Sequence, residues 1–274
     1  MTSLAGKTLF ISGASRGIGL AIGVRAARAG ANVVVAAKTV EPHPKLPGTI
    51  HSAAEEIEVA GGHALAVQCD VRSEDDITRA MALAVERFGG IDIVVNNASA
   101  IRLGGLAQVD AKGFDLMTQI GPRATYLVTR AALPHLERAA NAHILTLSPP
   151  IALASKWVGD APAYTFKKYG MTLLTLGFAA EFRERGIAAN ALWPKTVIAT
   201  AAVQNLLGGD AVIRASRHPA IVADAAYAIL TADARTTTGN TYIDEDVLRA
   251  NGMTDFSAYA IDPSVPLGTD IFLD

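Results

Sequence analysis

The stretch Ser12-Gly13-Ala14-Ser15-Arg16-Gly17-Ile18-Gly19 follows the short apolar run 8–12 and opens a helical pattern. Glycine at positions 13, 17 and 19 allows a tight turn and lets the backbone approach a pyrophosphate, whose charge is favoured at a helix N-terminus. Such a glycine pattern often occurs by chance in a simple turn, but here strand, turn and helix follow one another in the required order. The stretch therefore predicts a nucleotide site, formed by Gly13, Ser15, Arg16, Gly17, Ile18 and Gly19.

Outward from this turn, short apolar runs alternate with helical patterns along the whole chain. The predicted strands are residues 8–12, 32–37, 64–69, 91–96, 143–147, 188–192 and 241–244. The predicted helices are residues 19–29, 50–60, 75–88, 115–137, 163–185 and 221–230. Most runs are continuously apolar, which is typical of strands covered by helices on both faces. The pattern predicts one α/β domain over residues 1–274, a Rossmann-type, doubly wound, seven-stranded parallel sheet, with its core in 1–244 and a C-terminal tail in 245–274.

The composition bears on the partners and the cellular location that we expect for the protein. The chain has 24 Lys and Arg against 26 Asp and Glu, with no long basic run, so we expect no nucleic-acid partner. Cys69 is the single cysteine, and we expect a small buried hydrophobe rather than a disulfide. Residues 1–7 contain no apolar signal segment, and no apolar run approaches a membrane span of roughly 18 residues. We therefore expect a cytoplasmic protein.

Several segments interrupt the strand and helix pattern. Residues 39–49 are rich in proline and predict a loop, and residues 149–162 form a second irregular stretch. The tail ends in apolar residues, which we expect to pack on this subunit or a neighbouring one. Asp244-Glu245-Asp246 is interpreted as a solvated acidic turn, Trp157 either lines a pocket or fixes its loop, and His43, His51 and His63 lack metal-ligand spacing, so no metal is expected.

The end of the second predicted strand bears on the choice of nucleotide. NAD-preferring folds usually carry Asp or Glu there, but this chain has Lys38 instead. Arg16 and Lys38 are cations within reach of the same ribose and suit a 2′-phosphate, although both could be ordinary surface charges. The sequence thus favours NADP(H) over NAD. Asp70 and Val71 follow the third strand and are candidates for holding the adenine edge, with Asp70 as a helix cap the alternative.

Tyr164 and Lys168 are four residues apart on a predicted helix and so share one face. A free tyrosine has a pKa of about 10, but a neighbouring ammonium favours the phenolate and lowers that pKa. Tyr164 could then give a proton to a carbonyl oxygen or take one from an alcohol. Lys168 could also hold the hydroxyls of a nicotinamide ribose. The pair, together with the glycine turn, predicts an oxidoreductase.

These motifs resemble the short-chain dehydrogenase/reductase family over residues 7–244. The matches are the glycine turn, Asn96-Asn97-Ala98, Tyr164-x-x-x-Lys168 and Asn190-Ala-Leu-Trp-Pro194. Finer features, including the His43-Pro44-Lys45 loop, Leu147-Ser148-Pro149-Pro150 and the closing Phe272-Leu273-Asp274, look like its hydroxysteroid-dehydrogenase-like branch. Larger members of that branch append a sterol-carrier domain, which we do not expect here. The resemblance adds cofactor contacts at Asn97, Ala98, Pro194, Thr196 and Val197.

The chain also departs from the family pattern at three positions. The family's carbonyl-polarising serine follows the fifth strand, where Pro149 occupies the usual position and Ser148 is the candidate substitute. Gly121 stands where the family has an asparagine of the proton relay, and Gly121-Pro122 should kink the helix. Lys195 replaces the usual glycine after Pro194, where it could contact phosphate, substrate or solvent.

Two functions remain open at this point. The first is an NADP(H)-dependent oxidoreductase interconverting a secondary alcohol and a ketone, with a lipid-like substrate suggested by the apolar residues 151–157 and 197–207. Its catalytic residues would be Tyr164, Lys168 and Ser148. The second is a weakly active nucleotide-binding scaffold or sensor, favoured by Pro149 and Gly121. The apolar face of residues 171–180 and the resemblance imply a homodimer or homotetramer.

Overall fold

The apolar runs form strands with bounds close to the predicted ones. The computed structural model describes residues 3–43 and 46–273, so Pro44, Lys45 and Asp274 lie outside the described residues. The strands are β1 Thr8–Ser12, β2 Asn32–Ala37, β3 His63–Gln68, β4 Ile93–Asn96, β5 Ala142–Leu147, β6 Ile187–Trp193 and β7 Thr241–Ile243. All six pairings are parallel, in the order β3-β2-β1-β4-β5-β6-β7. The predicted seven-stranded, doubly wound sheet is confirmed.

Helices cover both faces of this sheet. They are α1 Gly17–Ala27, α2 Ile50–Val59, α3 Glu74–Phe88, α4 Ala111–Thr118, α5 Ala124–Leu136, α6 Ser155–Gly159, α7 Pro162–Glu181, α8 Ala201–Leu206, α9 Gly209–Arg214, α10 Ala220–Leu230 and α11 Asp244–Ala250. Leu9 and Ile11 of β1 pack against α1, α2 and α10, while Phe10 packs against α3, α5 and α7. Successive strand residues point to opposite faces, so a continuously apolar strand fills both cores.

The long helix predicted over residues 115–137 is broken, as its Gly-Pro pair indicated. A π-helical segment, Gln119–Arg123, joins α4 to α5, and Gly121 within it has a non-helical backbone (φ −84°, ψ −106°). Pro122 has no N–H to donate to the helix ladder, which accounts for a disruption at this point. The kink lies directly against α7, the helix that carries Tyr164 and Lys168.

Some local predictions were incomplete or wrong. Residues 149–162 include the short helix α6, while the described part of 39–49 is irregular, as predicted. The interpretation of Asp244-Glu245-Asp246 as a solvated acidic turn is wrong, because Asp244 and Glu245 are buried at the start of α11. Burial alone would raise the pKa of Glu245, but hydrogen bonds from Arg217 and Arg249 lower it to about 2. Cys69 is buried, as predicted. Within the described ranges, no helix has the length and apolarity needed to cross a membrane.

Candidate active site

The carboxyl ends of the parallel strands open into a cavity of about 760 Å³. This is where ligands bind in open α/β sheets. The predicted site residues on its wall are Gly13, Ser15, Arg16, Gly17, Ile18, Lys38, Asp70, Val71, Asn97, Ala98, Tyr164, Lys168, Pro194 and Val197. Three predicted residues, Gly19, Ser148 and Thr196, are not part of the wall. The fold thus brings the glycine turn and the Tyr-Lys pair to one cavity.

The glycine turn lies against the loop that follows β4. Gly13 has a φ of +70°, and a Cβ there would approach the Ala98 Cα to 2.8 Å, so only glycine fits without a shift. Asn97 Nδ2 donates to the carbonyls of Ser12 (2.9 Å) and Gly13 (3.1 Å). A Cβ on Gly19 would come within 2.5 Å of the same amide. Gly19 therefore packs against the turn and the Asn97 amide and does not line the cavity.

The N-terminal end of α1 can receive an anion. Its first turn contains no acidic residue, and the Arg16 side chain makes no capping hydrogen bond to the helix. The backbone N–H groups of the first turn have no partner within the helix, and they carry the positive end of the helix dipole. Glycine at 13 and 17 leaves the backbone uncovered beside them. These features fit a nucleotide pyrophosphate.

The cations expected at the nucleotide ribose already have partners. Arg16 donates to the carbonyls of Pro47 (2.8 Å) and Gly48 (2.7 Å), in the loop after β2. The Lys38 ammonium lies 3.4 Å from an Asp70 oxygen but is more than half exposed. Arg72 also pairs with Asp70 and holds the pKa of its carboxyl near 2. The cap alternative for Asp70 is wrong, because Ser73 caps α3.

Tyr164 and Lys168 line the cavity, and both side chains are almost completely buried. The Lys168 Nζ donates to the Leu147 carbonyl at 2.6 Å, and burial lowers its pKa to about 7. The predicted lowering of the Tyr164 pKa is wrong for this structure. Burial raises that pKa and the nearby Asp270 carboxylate raises it further, because both disfavour a phenolate.

The C-terminal segment supplies a wall of the site that the motifs did not predict. Asp270 lines the cavity, and burial raises the pKa of its carboxyl to about 7. Phe272 stacks on the Tyr164 ring, with centroids 6.1 Å apart and planes 13° apart. It also contacts the rings of Trp157, Tyr169 and Trp193. The apolar tail therefore packs on its own subunit, and Trp157 fixes its loop to that tail without lining the cavity.

Two of the site residues predicted after β5 and β6, Ser148 and Thr196, do not lie where the family motifs imply. Ser148 is fully buried, and its hydroxyl makes no hydrogen bond within the described part of the chain. Thr196 is buried and forms an antiparallel bridge with Thr269. The Lys195 ammonium lies 3.4 Å from a carboxylate oxygen of Glu245. This ion pair accounts for the charge of Lys195 without a contact to phosphate or substrate. The structure thus does not bring Ser148 or Thr196 to the cavity.

Apolar side chains form a further part of the cavity wall. They are Ile101, Leu103, Ile120, Val203, Leu206, Leu207, Val212 and Ile271. The apolar residues 197–207 thus contribute to the wall, whereas 151–157 do not. Ser99, also absent from the predicted site, adds a hydroxyl to this wall. Its only sequence signal was its position directly after Asn97-Ala98.

Comparison with known proteins agrees with this arrangement. The family model described as short chain dehydrogenase matches residues 7–209. The chain belongs to the short-chain dehydrogenase family. It is 55% identical over 271 residues to hydroxysteroid dehydrogenase-like protein 2 from Danio rerio, covering 99% of this chain and 65% of that protein. The human protein of that name is 51% identical, and the chain covers 64% of it. The chain therefore spans slightly less than two thirds of these curated relatives.

Solved structures of short-chain dehydrogenases extend the likeness to the fold. A Xanthomonas campestris protein described as a dehydrogenase is 55% identical, with 99% of each chain covered and a TM-score of 0.96. A metagenomic short-chain oxidoreductase solved with NADP is 27% identical, covering 88% of this chain and 98% of that one, with a TM-score of 0.73. As a short-chain dehydrogenase, the protein is an oxidoreductase of a family that uses NAD or NADP.

Proposed function

We propose that this protein is an NADP(H)-dependent oxidoreductase that interconverts a ketone and a secondary alcohol. The observation that carries the proposal is the single cavity that joins the glycine turn to Tyr164 and Lys168. The pyrophosphate would lie at the N-terminus of α1, and Asn97 and Ala98 would contact the cofactor between that end and the Tyr-Lys pair. Hydride transfer requires that one bound cofactor reach from the glycine turn to the Tyr-Lys pair.

The chain's own contribution is proton transfer and orientation. The bound nicotinamide would supply hydride to the carbonyl carbon, while the Tyr164 phenol gives its proton to the carbonyl oxygen. Burial and Asp270 both disfavour the phenolate, so Tyr164 is a neutral phenol at neutral pH and carries the proton that reduction uses. Lys168, held by the Leu147 carbonyl, would bind the ribose hydroxyls. These two side chains would thus supply the proton and the cofactor orientation that ketone reduction needs.

The test of this role is Tyr164→Phe, which removes the phenolic proton and keeps the ring stacked on Phe272. General acid catalysis typically contributes about 10²–10⁴-fold, so we expect a loss of that size in kcat for NADPH-dependent ketone reduction. NADPH affinity, followed by fluorescence titration, should be almost unchanged. Turnover equal to that of the unaltered protein would exclude Tyr164 as the proton donor.

NADP(H) is proposed over NAD(H) because the cation Lys38, and no carboxylate, directly follows β2, and Arg16 lines the same cavity. Solved structures of the fold hold NADP in one case and NAD in another, so the choice depends on Lys38 and Arg16. An exposed cation of this kind is worth about 1 kcal/mol. Lys38→Ala should therefore weaken NADPH binding about fivefold and leave NADH binding unchanged, as measured by paired titrations. Equal weakening of both cofactors would contradict a 2′-phosphate contact.

We propose a ketone with a sizeable, lipid-like apolar part as substrate. The support is the set of apolar side chains on the cavity wall, which includes Ile101, Leu103 and Ile120. An apolar wall favours substrates by the water-exposed area that they lose on binding. A series of ketones with lengthening alkyl chains would test this, since kcat/KM should rise with each added methylene. A flat series would indicate a small polar substrate.

A scaffold or sensor that binds nucleotide with little turnover is the second candidate. The burial of Ser148 favours it, because the hydroxyl expected to polarise a carbonyl does not line the cavity. A panel of ketones and 3-ketoacyl thioesters with NADPH separates the two functions. Rapid NADPH oxidation with any of them supports the enzyme, and tight NADPH binding without oxidation supports the scaffold.

A homodimer or homotetramer, single-domain organisation and a cytoplasmic location remain part of the proposal. The support for assembly is an exposed apolar stripe on α7, formed by Phe166, Leu173 and Ala180, beside Phe114 of α4. Stripes of this kind usually meet a partner surface. Light scattering of the purified protein should give a multiple of the 28.5 kDa chain mass, and Leu173→Glu should reduce it.

A further inference from the structure

The side chain of Lys167 is completely buried, which is rare for lysine. It extends from α7 across Gly121 of the π-helical segment, where a Cβ would overlap the Lys167 Cγ. Glycine at this position therefore makes room for the lysine side chain. Segments with π-helical geometry are frequent at functional sites. The kink in the helix and the buried lysine are two parts of one arrangement.

The amine of Lys167 ends beside the proposed catalytic tyrosine. Its Nζ donates to the Ser99 Oγ at 2.5 Å and to the Ala100 carbonyl at 3.0 Å, and lies 5.1 Å from the centre of the Tyr164 ring. The Ser99 hydroxyl and the Ala100 carbonyl are thus its two hydrogen-bond acceptors. Burial lowers the Lys167 pKa, and the positive charge of Lys168 lowers it further. The Lys167 amine thus holds the Ser99 side chain in place.

Ser99 extends this contact into the cavity. It is an exposed residue, and it lines the same cavity wall as Tyr164 and Lys168. Its oxygen accepts a hydrogen bond from Lys167, which leaves the hydroxyl proton available for a different acceptor. Ser148, in contrast, is buried and does not line the cavity. Ser99 is therefore a fixed hydroxyl donor on the cavity wall beside Tyr164.

We propose that Ser99 is a catalytic residue that donates a hydrogen bond to the substrate oxygen, and that Lys167 is the positioning residue that orients it. This inference rests on the proposed reduction of a ketone. The proton of Ser99 stays on its oxygen throughout, and the proton gained by the product alcohol comes from Tyr164. The pair would recognise a neutral carbonyl or alcohol oxygen, which accepts a hydrogen bond and needs no counter-ion.

Ser99→Ala and Lys167→Met test the pair by steady-state ketone reduction. Loss of one such donor typically costs about 100-fold in kcat, so we expect this from each variant, with NADPH affinity unchanged. The double variant should be no slower than either single one, because the two residues act as a unit. Ser99→Thr keeps the hydroxyl and should retain most activity. Ser155→Ala and Lys112→Met, exposed and away from the cavity, are the matched controls.

Two kinds of measurement, steady-state turnover and NMR of Lys167, could each contradict the pair. Unchanged kcat in Ser99→Ala, or independent losses that multiply in the double variant, would contradict it. In the unaltered protein, the Lys167 side-chain NMR signals should titrate at a lower pH than those of a free lysine and should shift in Ser99→Ala. Signals that do not shift in Ser99→Ala would equally contradict the pair. Shifting signals without reduction of any ketone would keep the contact between Lys167 and Ser99 and would reject the proposed function together with the catalytic role of Ser99.

Discussion

At the scale of single residues, three ionisable groups on the cavity wall, Tyr164, Lys168 and Asp270, influence one another's protonation. Asp270 and Lys168 each have a pKa near 7, and each is moved there by burial. Asp270 raises the pKa of both Lys168 and Tyr164, since its negative charge favours the ammonium and disfavours the phenolate. The sequence pair Tyr164 and Lys168 could be recognised from its spacing. Asp270 could not, because it comes from a distant tail without a motif.

Asp270→Asn should change the pH dependence of reduction in a defined direction. Without the carboxylate the Tyr164 phenolate is less disfavoured, so the pKa of the phenol falls. Reduction needs the protonated phenol, and the basic limb of the kcat/KM profile should therefore move to lower pH. The control is Asp160→Asn, at an exposed position after α6. A basic limb that stays in place, or moves to higher pH, would show that Asp270 does not act on Tyr164.

At the scale of elements, the sequence predicts best where one physical cause dominates. Strands β1 and β2 match their predicted bounds, because continuously apolar runs between turns have few alternatives. The break at Gly121-Pro122 was equally predictable, since proline cannot continue the helix ladder. The role of the break in making room for Lys167 was not predictable, because this lysine lies on another helix. Packing partners from different elements leave no periodic signal in the sequence.

Gly121→Ala should destabilise the protein through this packing. An added methyl overlaps the Lys167 stem in a position with a non-helical backbone, and overpacking of this kind costs about 1–3 kcal/mol. Urea unfolding followed by circular dichroism measures the effect. Gly159→Ala, where a Cβ meets no atom within 4 Å, should be neutral or stabilising by up to about 1 kcal/mol. Equal stability of the two variants would refute the steric role of Gly121.

At the scale of the whole molecule, the C-terminal segment closes the site against the sheet. Thr269 bridges Thr196, the Asp270 N–H donates to the Lys195 carbonyl at 3.0 Å, and Trp193 Nε1 donates to the Ile271 carbonyl at 3.0 Å. These contacts join the end of the chain to the loop after β6. Sequence analysis predicted that the apolar end packs somewhere, but hydrogen bonds between irregular segments have no pattern from which a place could be derived.

Phe272 connects the stability of the molecule to the geometry of its site. It is buried among four aromatic rings and adopts a positive φ of 73°, which is uncommon for a bulky residue. Phe272→Ala should cost about 3 kcal/mol or more of unfolding free energy, because a buried ring leaves a cavity. It should also lower kcat, because Tyr164 loses the ring on which it stacks.

Phe256→Ala separates these two effects of the Phe272 substitution. Phe256 is also buried but lies in the core that includes α1 and α10, beside Arg217 and Arg249 and away from the cavity. We expect a similar loss of unfolding free energy with kcat unchanged at a temperature where both variants are folded. A parallel fall of kcat in both would mean that activity follows stability alone. A fall confined to Phe272→Ala would establish that the tail positions Tyr164 for the proposed proton transfer.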